Sequence, residues 1–201
     1  MKIFFIRHGE STGDIENLYG GDYDDHLSEK GREQARDLAQ LLKDKDIEII
    51  FSSPLSRAKE VSEILASMAG CKVIVENDLR ERNQYGILTG INKDEAKNKF
   101  PEQVELLKNR FNTVEGAEAY TDFSKRITGT FEKIKNNPEY KTVAIVTHGG
   151  PMRVLFRDIL KWGELVEIGD CSYVELEKKD NIFIPIHYER LKPDFEMPFD
   201  S

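Results

Sequence analysis

Apolar and polar positions alternate along the chain in blocks of two kinds. Short apolar runs occur at residues 3–6, 47–51, 72–75 and 142–147. β-Branched and aromatic types dominate them and each is too short for a helix, so they read as buried strands. Between them, apolar residues recur at helical spacing. Ala35, Leu38, Ala39 and Leu42 predict a helix over 28–43, with Ser28 as its cap and Glu29 suiting the positive end of its dipole. Ser52-Ser53-Pro54-Leu55-Ser56-Arg57 opens a second helix, with Ala58, Val61, Ile64, Leu65 and Met68 on one side.

The remaining blocks are less regular. Residues 11–21 are polar and glycine-rich and read as a loop. Residues 78–90 mix charge, aromatics and glycine, as functional loops often do. Helices are expected over 92–99, with Asn92 as cap, over 101–110 and over 117–136, with a break at 113–116. Pro138 ends the last of these, and Pro151 suits the first turn of a helix reaching residue 160. Two more strands are expected at 172–177 and 182–187, joined by a turn at 178–181. The segment 191–201 holds two prolines and no period, and reads as an irregular, partly mobile tail.

Strands alternating with helices predict a three-layer α/β/α domain over 1–201, with a mostly parallel central sheet and 83–118 as a capping insertion. Right-handed crossovers bring the carboxyl ends of parallel strands to one rim, where such sheets place their ligands. Three of these ends carry special residues: Arg7-His8, the turn leading to Arg57, and His148-Gly149-Gly150.

Composition narrows the field. The 201 residues are 33% charged and 39% hydrophobic, as in an ordinary soluble protein. A net charge of −8 disfavours nucleic acid and anionic membranes as partners. The apolar run at 3–6 is too short for a signal-peptide core, and Cys71 and Cys171 lie outside any metal-ligand spacing. Free thiols in the cytoplasm are the expectation. The sequence leaves a homodimer open.

Two arginines and two histidines gathered at one rim would make a cationic pocket in an acidic chain. Guanidinium forks match phosphate oxygens, and the amides at Gly149-Gly150 would face the same rim. A neutral imidazole there could attack phosphorus and form phosphohistidine. A carboxylic acid near the anion, such as Glu81, would have its pKa raised and could protonate the leaving oxygen.

These residues lie in motifs with a known likeness. Arg7-His8-Gly9-Glu10-Ser11 resembles the signature of the histidine phosphatase superfamily, which includes the cofactor-dependent phosphoglycerate mutases. The resemblance runs on through residues 23–31, 52–58, 79–90 and 147–153, in order. It implies that His8 is the phosphorylated histidine, that Arg7, Arg57 and His148 complete the phosphate pocket, and that Glu81 is the proton donor. Gly149 stands where a backbone amide meets the phosphate, with Gly150 beside it, while Gly20, Gly21, Tyr85 and Lys93 fall where mutases contact the rest of the substrate. The resemblance implies no metal.

The chain departs from the family pattern in three places. Asp14 stands where asparagine is usual; a carboxylate beside phosphate is unfavourable unless turned away, which leaves Asn17 or a water for that role. Three residues rather than two separate Glu81 from Tyr85. The pair of adjacent arginines that grips a mutase's substrate is missing, with only Lys108-Asn109-Arg110-Phe111 near its place. A chain short of grip is expected to hydrolyse a small phosphorylated metabolite. The alternatives are a mutase, which would need 2,3-bisphosphoglycerate to keep His8 phosphorylated, and a silent phospholigand-binding protein. His26, His187 and Trp162 read as structural, and the acidic run Asp22, Asp24 and Asp25 reads as a solvated face.

Overall fold

A computed structural model describes residues 1–180 and 182–199. Among the described residues, six strands form one sheet in the order β3-β2-β4-β1-β5-β6. β1 (Lys2–Arg7), β2 (Ile49–Ser52), β3 (Lys72–Val75) and β4 (Thr142–Thr147) are mutually parallel. β5 (Leu165–Lys179) and β6 (Ile182–Pro193) form an antiparallel ribbon added beside β1. The sheet is therefore mixed.

Strand alternation divides β1 between two cores. Ile3 and Phe5 pack on one face with Phe131 and Ile134 of α6 (Tyr120–Lys135) and Met152 of α7 (Gly149–Val154). Phe4 and Ile6 pack on the other with Leu38 and Leu42 of α2 (Glu29–Leu42) and Val61 and Leu65 of α3 (Ser56–Ala69). All four β1 residues are fully buried. A smaller cluster of Tyr19, Leu88, Ala96 and Val114 supports the segment containing α4 (Lys93–Lys99) and α5 (Pro101–Leu106).

Several expected boundaries shift. The loop after β1 contains a single turn, α1 (Thr12–Ile15), because Ser11 and Asp14 close a capping box. The helix expected to reach residue 110 stops at Leu106, and that expected from 117 begins at Tyr120. The helix of residues 149–160 widens into a π-turn over Leu155–Ile159. The larger correction concerns the last two strands. β5 begins seven residues before the expected start at 172, and β6 runs into the expected irregular tail, where Leu191 is buried and Pro193 pairs with Leu165. Prolines suggested a break, but β6 is an edge strand, where a missing N–H need cost no ladder bond. Of the turn expected at 178–181, Asn181 lies outside the described residues, as do the last two tail positions.

Candidate active site

Glycine lets the chain turn tightly where β1 ends. A Cβ on Gly31 would sit 2.0 Å from the Glu10 carbonyl oxygen, and one on Gly9 would sit 2.8 Å from that of Gly31. Two glycines thus allow the start of α2 to lie against the backbone that follows His8. Ser28 closes the contact by donating its hydroxyl to Glu10 Oε1 at 2.7 Å while accepting from the Gly31 amide.

His8 is buried beside a cavity of about 540 Å³. Its Nδ1 lies 2.7 Å from the Gly9 carbonyl oxygen. A carbonyl only accepts, so Nδ1 carries the proton and the lone pair is on Nε2. Arg57 agrees with this assignment, since its Nε–H donates to His8 Nε2 at 3.1 Å. Burial first, and then the charges of Arg57 and Arg7, hold the imidazole well below its ordinary pKa. The ring is neutral.

Arg57 is itself held on every side. It donates to Asp25 at 2.5 Å, to the Tyr23 carbonyl at 2.7 Å and to the Gly21 carbonyl at 2.7 Å. Asp25 also accepts from the Gly13 amide at 2.9 Å. The acidic run is thus no solvated face throughout. Asp25 is 5% exposed and orients Arg57, and Asp24 accepts from the Ser56 amide at the start of α3. Arg7 donates to the Ile168 carbonyl at 2.5 Å and lies 3.4 Å from Asp170.

His148 directly follows β4, the neighbour of β1, and its ring centroid lies 5.0 Å from that of His8. It is fully buried behind His8 rather than on the cavity wall. Its Nε2 is 2.7 Å from Ser53 Oγ. Among the described residues, its Nδ1 is the buried side-chain polar atom without a partner. Burial, then Arg57, lowers its pKa also.

Glu81 approaches from the segment after β3. It accepts from the Gly150 amide at 2.8 Å and from the Arg82 amide at 2.8 Å. Burial nevertheless pushes its pKa up, against the pull of these two amides. Gly150 is needed here, because a Cβ on it would sit 2.0 Å from Glu81 Oε1.

Of the other expected contacts, Asp14, Gly20, Gly21, Tyr85, Lys93, Gly149 and Gly150 all line the cavity. The Asp14 carboxylate is engaged by the Ser11 amide and hydroxyl, both at 3.0 Å. Asn17 does not line the cavity. It turns the chain at φ 54°, and its carbonyl accepts from the Lys93 amide. Asn17 is exposed outside the cavity, and its tie to the site is this backbone bond to Lys93.

The expectation of a cavity short of cations is also corrected. Arg82, Arg110, Arg153 and Arg157 line it, with Tyr120 and Glu164. Arg153 and Arg157 stand four apart on the segment that leaves Gly149-Gly150. That spacing was a signal available in the sequence. Arg82 and Arg110 come from the segments bordering α4 and α5, and only folding brings them in.

A model of the histidine phosphatase superfamily (branch 1) matches residues 3–183. The chain belongs to that superfamily. Phosphoserine phosphatase 1 of Hydrogenobacter thermophilus is 28% identical over 195 residues, 93% of this chain and 92% of the relative. An Escherichia coli O1:K1 protein described as "probable phosphoglycerate mutase GpmB" is 28% identical over 192 residues, 92% and 88% of the two chains. The same fold is seen in the α-ribazole phosphatase of Shigella flexneri, with TM-score 0.80 at 20% identity over 100% of this chain and 99% of that one. It is seen again in a mycobacterial glucosyl-3-phosphoglycerate phosphatase, with TM-score 0.78 at 23% identity over 100% and 99%. No helix among the described residues of this superfamily member is long and apolar enough to cross a membrane.

Proposed function

We propose that the protein is a phosphomonoesterase that hydrolyses a small phosphorylated metabolite through a phosphohistidine at His8. The observation that carries this reading is the fixed tautomer of His8. The Gly9 carbonyl and Arg57 Nε–H together leave the Nε2 lone pair as the only nucleophilic position of a neutral ring.

In the first step Nε2 attacks phosphorus and the P–O ester bond breaks. Glu81, whose hold on its proton burial strengthens, gives that proton to the leaving oxygen. Arg57 and Arg7 stabilise the developing charge, the largest task in phosphoryl transfer, while His148 packs its ring against that of His8. Arg57 must pass its Nε–H from the imidazole to a phosphoryl oxygen as the new bond forms. In the second step water attacks phosphorus as Glu81 takes a proton from it, the N–P bond breaks with its electron pair returning to Nε2, and phosphate leaves with His8 neutral again. No metal is needed for either step. Segment 83–118 caps the cavity and meets the alcohol part of the substrate through Tyr85, Lys93 and Arg110.

A likeness to proteins named as phosphatases supports hydrolysis. A mutase dependent on 2,3-bisphosphoglycerate is the second reading, favoured by the GpmB likeness and by the extra cationic lining. The working compartment in this proposal is the cytoplasm, where Cys71 and Cys171, both free, stay reduced.

The test is release of phosphate from an aryl phosphate by wild type and His8→Ala, with acid-labile phosphoprotein trapped in the wild type. Equal rates abandon the reading. Isomerisation of phosphoglycerate outpacing phosphate release, stimulated by the bisphosphate, selects the mutase.

A further inference from the structure

Asp170 and Gln34 stand outside the motifs read from the sequence and do not line the cavity, yet both bear on Arg7. An irregularity in β5 brings Asp170 there. The pairing of β5 with β6 jumps from Ile168–Leu191 to Tyr173–Glu189, so residues 169–172 lie opposite Arg190 alone. Cys171 and Arg190 both take positive φ, 50° and 56°, and Arg190 donates to the Asp170 carbonyl at 3.1 Å. Bulges re-aim side chains beside active sites. Here the bulged stretch meets both members of the Arg7-His8 pair. The Ile168 carbonyl accepts from Arg7 at 2.5 Å, and the Cys171 amide donates to the His8 carbonyl at 3.0 Å. Between them, Asp170 Oδ1 forms an ion pair with Arg7 Nη1 at 3.4 Å.

From Asp170 the connection runs back to the chain just after His8. Gln34 Nε2 donates to Asp170 Oδ2 at 3.3 Å, and Gln34 Oε1 accepts from the Glu10 amide at 2.8 Å. Arg7, Asp170, Gln34 and Glu10 therefore close a circuit around His8. Its polarity is fixed at both ends, because a guanidinium and a backbone N–H only donate. The Gln34 oxygen must face Glu10, which leaves its NH2 group for residue 170. Residue 170 then needs one acceptor toward Gln34 and another toward Arg7. A carboxylate supplies an oxygen on each side, and an amide supplies only one.

We propose that Asp170 and Gln34 are positioning residues, whose circuit holds the Arg7 guanidinium in place beside His8 to receive the phosphoryl group. This rests on the phosphatase reading and assigns the parts of that same site that aim Arg7. Charge held in place beforehand needs no rearrangement at the moment of reaction.

Exchanging the two groups tests the circuit. Asp170→Asn sets an NH2 group against either Arg7 or Gln34. Gln34→Glu sets two carboxylates against each other. The double substitution moves the carboxylate to position 34 and the amide to position 170, keeps the net charge, and gives every donor an acceptor again. The measurements are calorimetric binding of inorganic phosphate and kcat/KM for an aryl and an alkyl phosphate. Each single variant is expected to weaken phosphate binding about tenfold, as loss of a charge-assisted contact does. Each should lower kcat/KM equally for both leaving groups, since Arg7 meets the phosphoryl group and not the ester oxygen. The basic limb of the pH profile, assigned to Glu81, should stay in place. The double variant should return to within about threefold of wild type, the mark of coupled rather than independent sites. Unchanged phosphate affinity in the single variants overturns the proposal, as does a double variant no better than the weaker single one. Wild type that binds phosphate but hydrolyses no ester counts against the phosphatase reading, and the binding results then decide the circuit by themselves. Wild type that binds no phosphate overturns both.

Discussion

Arg126 donates to the carbonyl oxygen of Glu81 at 3.0 Å, from the helix on the far side of the segment that Glu81 belongs to. The same guanidinium reaches the carbonyls of Asp78 and Arg80, both at 2.8 Å, and pairs with Glu118. One side chain therefore sets the path of residues 78–81. Thr147 adds a second tie, donating its hydroxyl to the Leu79 carbonyl at 2.6 Å. In the proposed mechanism Arg126 is a positioning residue, and its removal should act through the proton assigned to Glu81. Arg126→Met is expected to lower kcat for alkyl phosphates by about 10- to 100-fold, within the range of a general acid's contribution. An aryl phosphate, whose leaving group needs less protonation, should lose much less. Equal losses for both leaving groups would show a general collapse of the site instead.

Gly150 and Glu81 are matched in size. Gly150→Ala puts a methyl group 2.0 Å from Glu81 Oε1 and must push the carboxyl away. Activity on alkyl phosphates should fall at least as far as in Glu81→Gln, while the thermal midpoint shifts little. Because the Glu81 pKa is raised, its proton is present at low pH and lost as pH rises through the folded value. The basic limb of the wild-type kcat profile should therefore flatten in Glu81→Gln, measured with an alkyl substrate.

Asp25 holds a buried guanidinium at 2.5 Å. Asp25→Asn leaves Arg57 without a carboxylate partner, its remaining acceptors being backbone carbonyls and His8 Nε2. Breaking one side of a buried pair costs about 3–5 kcal/mol. Urea unfolding should show a loss of that order, and inhibition by inorganic phosphate should weaken as Arg57 loses its aim at His8.

The two buried histidines make stability depend on pH. Each has a folded pKa below the ordinary 6.5, so between the two values the unfolded chain holds the proton and the folded one does not. Stability is then complete above about pH 6.5 and is lost as pH falls, by at most about 1.4 kcal/mol per pH unit for each histidine. Urea midpoints measured from pH 7 to pH 5 should decline, and His148→Gln should make the decline shallower. An unchanged slope would remove His148 from this account.

The sequence makes the inner site legible for a physical reason. Arg7, His8, Arg57 and His148 sit at or just beyond strand ends, and parallel strands bring such ends together whatever the intervening chain does. Glu81 follows the same logic one turn after β3. Asp25 is not legible, because an acidic run looks the same whether it faces water or a buried arginine. Arg110 and Arg82 are hidden likewise, since their approach depends on how α4 and α5 fold back on Tyr19 and Leu88. The expected irregular tail failed because a strand's tolerance of proline depends on having no neighbour on one side, which is a property of the sheet. The bulged start of β5, where Cys171 takes φ 50° and donates its amide to the His8 carbonyl, has no local signature either.

Among the described residues, β1 pairs only with β4 and β5, through residues such as Val143 and Leu176, both facing Ile3. Contacts this distant along the chain form late, since closing so long a loop costs entropy before any pairing rewards it. On a ribosome, the strand that leads into His8 emerges early yet has no partners until most of the polypeptide has followed. Nascent chains halted before residue 165 would carry every motif of the inner pocket, but only one of the two ladders that hold its central strand in register.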